Sequence, residues 1–136
     1  YPELGATLGY SPLKCGEIAG KMYDELGPIL DDYDIFICPA NNLPAVLADV
    51  DLLNDPVVIN GREVTGRDMG WTMAYPFNML GRLPVISVPS GFASNKVPTG
   101  IQIISRSYSD NLVFQAAYNY EKAEPWFYRD KNRPKI

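Results

Sequence analysis

Hydrophobic residues recur every three or four positions near the start of the chain, and this spacing predicts an amphipathic helix. The residues are Leu13, Cys15, Ile18, Met22, Leu26, Ile29 and Leu30. Ser11 followed by Pro12 marks the helix start, because serine caps free N–H groups and proline loses no hydrogen bond at the first helical position. Gly27-Pro28 is expected to kink or divide the helix, since proline lacks the N–H donor.

Three short apolar runs, Ile35 to Cys38, Pro84 to Val88 and Gly100 to Ser105, predict strands. The first two runs, which are bounded by breaker residues, are typical of buried strands. In the third, Ile101, Ile103 and Ser105 alternate with Gln102 and Ile104. Parallel sheets bury both faces, so we expect these strands to belong to a mixed, mostly parallel sheet.

Two further patterns lie between the first and second predicted strands. Asn60-Gly61 stands between two short β-type runs and favours a type I′ turn, which predicts a small β-hairpin. Thr65, with an acidic residue three positions later, predicts a helix that runs to about Met79. Gly81 is expected to end that helix in a left-handed conformation.

The last predicted helix begins at Ser109-Asp110 and runs to about Glu121. The order of strands and helices predicts an α/β fold, in which helices flank the sheet. Residues 39 to 56 hold three prolines and form a long loop. Loops of this length inside compact domains tend to be functional.

Composition and charge exclude several classes of function. The chain has 136 residues, a net charge of −4 and scattered basic residues, which excludes nucleic-acid binding as an expected function. It has no histidine and two cysteines, so a Cys–His zinc site is excluded and reduced thiols in the cytoplasm are expected. No apolar run approaches the roughly 18 residues that cross a bilayer, and no membrane partner is expected.

An ordered set of motifs carries the most specific signal. In chain order they are DYDIFICPA at 32–40, Asn78 and Gly81, ISVPSG at 86–91, and Pro98, Gly100 and Gln102. This set resembles the C-terminal region of the amidase-signature family, the Ser-Ser-Lys amidases that cleave carboxamide C–N bonds. The resemblance implies the C-terminal part of the amidase-signature fold, with residues 1–136 as a single partial domain, and it implies no cofactor.

The same resemblance places the catalytic residues elsewhere. In the family the two serines and the lysine lie well upstream of the matched region, and none of them has a counterpart here. No catalytic residue and no metal ligand is therefore expected in this chain. The chain begins with Tyr1 and not with methionine, which fits a piece of a longer protein.

One position bears on the substrate. In the glutamine-recognising branch of the family, an acidic residue about two turns before the motif asparagine binds the substrate amino group, and here that position is Trp71. An aromatic ring cannot pair with an ammonium group as a carboxylate does, so an apolar or aromatic amide is expected. Trp71, Ala74, Tyr75 and Asn78 share one stripe of the predicted helix and are the candidate substrate-binding residues. The alternative is that Trp71 and Tyr75 are core residues.

Other features leave alternatives open. The adjacent aromatics Trp126, Phe127 and Tyr128 need a surface to cover, and we expect them to pack on the missing N-terminal part of a parent enzyme or on a second copy of the chain. The main alternative function is a stand-alone, non-catalytic interaction domain. The S-x-x-K pattern at Ser11 also occurs in penicillin-recognising serine enzymes, but their K-T-G element is absent and helix capping explains the pattern.

Overall fold

A computed structural model describes residues 11–51, 54–64 and 70–124, which form three helices and five strands. The elements are α1 (Pro12–Asp32), β1 (Phe36–Pro39), β2 (Val57–Ile59), β3 (Arg62–Val64), α2 (Tyr75–Met79), β4 (Val85–Phe92), β5 (Pro98–Ile104) and α3 (Asp110–Ala123). The predicted α/β class is confirmed.

Helix α1 begins where the sequence predicts. The Ser11 side chain accepts a hydrogen bond from the backbone N–H of Lys14 at 3.2 Å, as an N-cap residue should. The helix is not divided at Pro28, because it continues to Asp32. Its last turn carries Leu30, which is buried in the core. The free energy gained by burying this side chain offsets the cost of the hydrogen bond that is missing because Pro28 has no N–H group.

Strands β1, β5 and β4 form a three-stranded sheet in that order. Both pairings are antiparallel, so the predicted mostly parallel order is wrong for the described strands. Residues 93–97 join β4 to β5, and a connection this short permits only an antiparallel pair. The runs of β1 and β4 suggested strands buried on both faces, and this prediction is wrong, because Ile37 is 52% exposed and Val85 is 39% exposed. Residues buried on both faces belong to β5, where a helix packs on each side.

The core lies on the two sides of β5. On one side Ile104 packs in a cluster with Leu30, Cys38, Leu80 and Leu83. On the other side Ile103 packs with Val113 and Ala117 of α3. Because consecutive residues of a strand point to opposite faces, these two isoleucines belong to two separate clusters.

The β2–β3 hairpin matches its prediction. Val57 pairs with Val64, and the turn residues Asn60 and Gly61 have φ values of 51° and 77°. Positive φ at both central positions defines a type I′ turn, whose twist suits a two-stranded ribbon.

Helix α2 is much shorter than predicted. It spans Tyr75–Met79, residues 65–69 lie outside the described ranges, and residues 70–74 are not helical. Gly81 does not have a positive φ, so the predicted left-handed exit is wrong. The segment before α2 pairs instead with the loop after β1, through an isolated antiparallel bridge between Asn41 and Thr72.

Helix α3 begins at Asp110, one residue after the predicted cap. The Ser109 side chain makes no capping hydrogen bond, and Asp110 provides an acidic group in the first turn. A carboxylate at this position interacts favourably with the positive end of the helix dipole. The helix continues to Ala123, two residues beyond the predicted Glu121.

Candidate functional site

The structure separates the four predicted substrate-binding residues. Tyr75 and Asn78 belong to α2, Ala74 is its N-cap, and Trp71 lies in a turn before the helix. They therefore do not share one helical stripe, because the helix that would align them does not reach Trp71. Trp71 and Ala74 are half-buried, whereas Tyr75 and Asn78 are exposed. Their role as one wall of a substrate pocket stays a prediction.

Backbone hydrogen bonds fix the Trp71 segment against the loop that follows β1. The N–H of Asn42 donates to the carbonyl of Trp71 at 2.8 Å, and the N–H of Met73 donates to the carbonyl of Ala40 at 3.0 Å. Two such bonds on alternate residues define a short antiparallel ladder. The position of Trp71 is thus set by a partner about thirty residues earlier in the chain, and not by local helix propensity.

The side chain of Gln102, in β5, adds hydrogen bonds to this contact between the Trp71 segment and the loop after β1. Its side-chain Nε2 lies 3.2 Å from the carbonyl oxygen of Pro39 and 3.2 Å from that of Met73. The amide has two hydrogens, one for each carbonyl, and the thiol sulfur of Cys38 at 3.6 Å is a weaker third neighbour. One buried amide therefore connects β5, the end of β1 and the segment that carries Trp71.

Sequence reasoning identified Gln102 as part of a motif but did not predict this role. The available signal was a polar residue inside the otherwise apolar run of β5. A buried side-chain amide must find hydrogen-bond partners, so its position alone indicated a structural contact. The partners themselves were not predictable, because they lie on two other segments of the chain.

Cys38 lies beside this amide and is not a nucleophile. Burial raises the pKa of the Cys38 thiol, and the hydrogen bond from Gln102 opposes that shift. A thiol whose pKa is raised stays protonated at neutral pH, and the thiolate is the reactive form. Cys38 acts as an apolar core residue, while Cys15 is exposed and both thiols are free.

A groove of about 330 Å³ lies between the loop after β1 and the adjoining ends of β4 and β5. We call it the loop groove. It is lined by Pro39, Asn41, Asn42, Leu43, Pro44, Ser90, Ala93, Pro98, Thr99, Gly100 and Ile101. None of these side chains is ionisable, so the groove offers amide and hydroxyl groups beside apolar surface.

A second groove, of about 370 Å³, lies between β4 and α3, and we call it the helix groove. It is lined by Ile86, Ser87, Val88, Pro89, Phe114, Ala117, Tyr118, Tyr120, Glu121 and Glu124. Phe114 and Tyr118 are 64% and 60% exposed, which leaves aromatic surface uncovered. Neither groove is lined by the four predicted substrate-binding residues.

The hydroxyl groups of the described residues lack a catalytic base. Ser90 bonds to Thr99, and Ser105 donates to the backbone carbonyl of Asp34. Within residues 11–51, 54–64 and 70–124, no serine hydroxyl bonds to a lysine ammonium group, and Lys14 pairs instead with Glu17. Activation of a serine nucleophile requires such a base.

The described residues were also compared with the requirements of a metal site and of a membrane-spanning helix. The described residues hold no group of three histidine, cysteine or acidic side chains that could bind a metal ion. They also contain no helix that is long and apolar enough to cross a membrane.

Comparisons with a sequence profile, with related proteins and with solved structures all match amidases or amidotransferases. A sequence profile described as Amidase matches residues 11–114. The chain is 33% identical over 108 residues to an acylamidase of Rhodococcus erythropolis, covering 79% of this chain and 22% of that protein. It is 33% identical over 113 residues to a glutamyl-tRNA(Gln) amidotransferase subunit of Thermotoga maritima, covering 83% of this chain and 21% of that protein.

A solved structure shares the fold. It is described as a bacterial aryl acylamidase of the amidase signature family, and it matches with a TM-score of 0.69 and 27% identity. The match covers 87% of this chain and 24% of that chain. The chain thus spans about a fifth to a quarter of the length of the proteins that it matches.

Proposed function

The chain belongs to the amidase family, and we propose that it is the C-terminal region of a hydrolase that cleaves carboxamide C–N bonds. In this role it supplies scaffold and one wall of the substrate pocket, and it does not catalyse the reaction alone. The coverage of its relatives supports the proposal, because the matched region is a small part of each. The bond-breaking residues would then belong to the remainder of the parent enzyme.

The observation that carries this proposal is the anchoring of the Trp71 segment. The backbone ladder to Ala40 and Asn42 and the Gln102 amide hold it from two sides, through bonds of 2.8 to 3.2 Å. A pocket wall must be held to within a fraction of an ångström to orient a substrate. A segment that is half-buried and hydrogen-bonded to two other parts of the chain meets that requirement better than an exposed loop does.

We propose an apolar or aromatic acyl amide as the substrate class. Trp71 takes the place where glutamine-specific relatives carry an acidic residue, and an indole ring offers apolar surface without a charge for an ammonium group. The relatives named acylamidase and aryl acylamidase support this choice, since their names refer to acyl and aryl amides. The two free cysteines support a reducing, cytoplasmic location.

The experiment uses a chimera. The C-terminal segment of the Rhodococcus erythropolis acylamidase that matches this chain is replaced by residues 1–136, and hydrolysis of an anilide is compared with hydrolysis of an unbranched alkyl amide. We expect the chimera to prefer the anilide. Trp71→Asp should reduce that preference by about tenfold, whereas Trp71→Phe, the matched control, should keep it, because one lost aromatic contact costs on the order of 1 kcal/mol.

Two results would contradict the proposal. Unchanged selectivity of the Trp71→Asp chimera would show that Trp71 does not line the pocket. Serine-dependent turnover of simple aryl or alkyl amides by the isolated 136-residue chain would show that it is catalytic alone.

The second candidate function is a non-catalytic interaction domain. The helix groove favours it, because Phe114 and Tyr118 present exposed aromatic surface of the kind that partners cover. Trp126, Phe127 and Tyr128, expected from the sequence to pack on the rest of the enzyme or on a second copy, lie outside the described residues. A monomeric chain that neither supports activity in the chimera nor self-associates, yet binds a cellular protein through Phe114, would favour this candidate.

A further inference from the structure

The helix groove lies along an uncovered edge of the sheet. Strand β4 has β5 on one side and no described strand on the other. The Ser105 N–H donates to the Pro84 carbonyl, so the alternating antiparallel pattern directs the backbone groups of Val85, Ser87 and Pro89 away from β5. Pro89 has no N–H to leave unpaired, and proline is typical of such edges. Among the described residues, no backbone hydrogen bond reaches this row from outside the β4–β5 ladder.

The α3 side of the groove presents aromatic rings to solvent. Phe114 and Tyr118 lie four residues apart on one face of the helix, and both are exposed. Lys122 Nζ lies 5.1 Å from the centroid of the Tyr118 ring, so this surface already accommodates a cation. Removing exposed aromatic surface from water is favourable, which favours a segment that covers these rings.

The charged residues that line the groove are both acidic. Glu121 and Glu124 stand at the end of α3, where the negative end of the helix dipole adds to the charge of their carboxylates. The groove therefore suits a ligand that carries aromatic side chains for the exposed rings and basic side chains for the two carboxylates.

One segment of this chain has that composition. Residues 125–136, which lie outside the described residues, directly follow Glu124. They contain Trp126, Phe127 and Tyr128, and then four basic side chains and one acidic side chain. The net charge of these side chains is +3, opposite in sign to the charge of the groove. The segment and the groove are therefore complementary in both charge and aromatic content.

The groove is also within reach of this segment. Phe114 lies ten residues before Glu124 on α3, which is about 15 Å along the helix axis. Five extended residues span about 17 Å, so the aromatic residues can reach both exposed rings. A segment of the same chain has an effective concentration on the order of millimolar, an advantage that a second copy or a separate protein lacks.

We propose that the helix groove is the docking site of residues 125–136 of the same chain. Their aromatic side chains cover the rings of Phe114 and Tyr118, and their basic side chains interact with Glu121 and Glu124. This occupant differs from the partner protein of the second candidate function, which would cover the same two rings. The proposal concerns a contact within the chain, and it does not depend on the Trp71 pocket wall.

The test is paramagnetic broadening of NMR signals in the 136-residue chain labelled with ¹⁵N. A nitroxide is attached at Asn132→Cys in a Cys15→Ser background, and the buried Cys38 thiol stays unlabelled. A nitroxide broadens only nearby signals, so we expect the backbone amide signals of Ser87 and Val88 to lose intensity. A mixture of spin-labelled ¹⁴N chains and unlabelled ¹⁵N chains should show no such loss, because the contact lies within one chain.

Variants of exposed residues, which should fold normally, identify the groups responsible. Phe114→Ser combined with Tyr118→Ser should restore at least about half of the lost signal intensity, because it removes the aromatic contacts. Tyr33→Ser removes an exposed ring at the end of α1, and as the matched control it should restore none. Glu121→Gln combined with Glu124→Gln should restore a smaller part, and high salt should have a similar effect.

Three outcomes would overturn the proposal. They are the absence of broadening at Ser87 and Val88, broadening that is undiminished when both rings are removed, and broadening that appears in the mixed sample. The last result would identify a second copy as the occupant, and the first would leave the groove to another part of the enzyme or to a partner protein. The measurement involves no hydrolysis, so it can fail while the chimera still prefers anilides, and it can succeed while the chimera is inactive.

Discussion

Gln102→Met tests whether one buried amide holds the candidate site together. Methionine has nearly the same length and shape as glutamine, so the substitution keeps the packing of β5 and removes only the hydrogen bonds. It leaves the carbonyl oxygens of Pro39 and Met73 without the donors that lie 3.2 Å away in the native protein. Comparison of Gln102→Met with the native protein therefore measures the effect of the hydrogen bonds without a change in side-chain volume.

The expected cost follows from these two bonds. Each neutral hydrogen bond contributes about 0.5–1.5 kcal/mol, so losing both costs about 1–3 kcal/mol. The Gln102 side chain is 4% exposed, so methionine occupies an apolar position and regains part of this loss through burial of its thioether. We expect the free energy of unfolding to fall by about 1–2 kcal/mol once both effects are included.

Two measurements check the prediction. Urea unfolding gives the change in free energy, and native-state hydrogen exchange gives the local effect. The backbone amides of Asn42 and Met73 should exchange faster, because the ladder that contains them loses one of its two supports. The matched control is Gln115→Met on the exposed face of α3, which should change stability by less than about 0.5 kcal/mol.

The reasoning is refuted if Gln102→Met is as stable as the control variant. It is also refuted if stability falls but exchange at Asn42 and Met73 is unchanged. The second result would mean that Gln102 supports the core and has no effect on the Trp71 segment.

Two further predictions concern the core. Leu30→Ala should lower the free energy of unfolding by about 2–5 kcal/mol in urea titrations, because Leu30 is 1% exposed, whereas Leu13→Ala at a site 76% exposed should have little effect. Because the pKa of Cys38 is raised in the folded protein, stability should be constant below the ordinary thiol pKa of 9.0 and fall as pH rises through the folded value. Urea titrations from pH 7 to 10 should show that decline, Cys38→Val should remove it, and Cys15→Ser should not.

Features specified by neighbouring residues were predictable from the sequence. The Ser11 cap, the Asn60-Gly61 hairpin and the existence of strand β5 each depend on residues a few positions apart. In each case the local preference and the final packing agree, which is the condition under which sequence patterns succeed. The family resemblance, confirmed by the match to residues 11–114, extended these local predictions to the whole chain.

Features specified by distant residues were not predictable in this way. The direction of the strands is one case, since burial on both faces occurs in parallel and antiparallel sheets alike when helices cover them. The start of α2 is another. The capping pattern at Thr65 favoured a helix through Trp71, but residues 70–74 are not helical and form hydrogen bonds with the loop after β1. Tertiary contacts override propensities of less than 1 kcal/mol per residue.

The motif at Pro98, Gly100 and Gln102 has a physical explanation in this arrangement. The carbonyl of Gly100 accepts a hydrogen bond from the Ala40 N–H at 2.9 Å, and Gln102 binds the next segment through its side chain. Pro98, Thr99, Gly100 and Ile101 also line the loop groove, so this one strand contributes to the groove and to the contact with the Trp71 segment. Gln102→Met should therefore loosen the Trp71 segment and also the edge of the loop groove at Pro39, whose carbonyl the Gln102 amide binds at 3.2 Å.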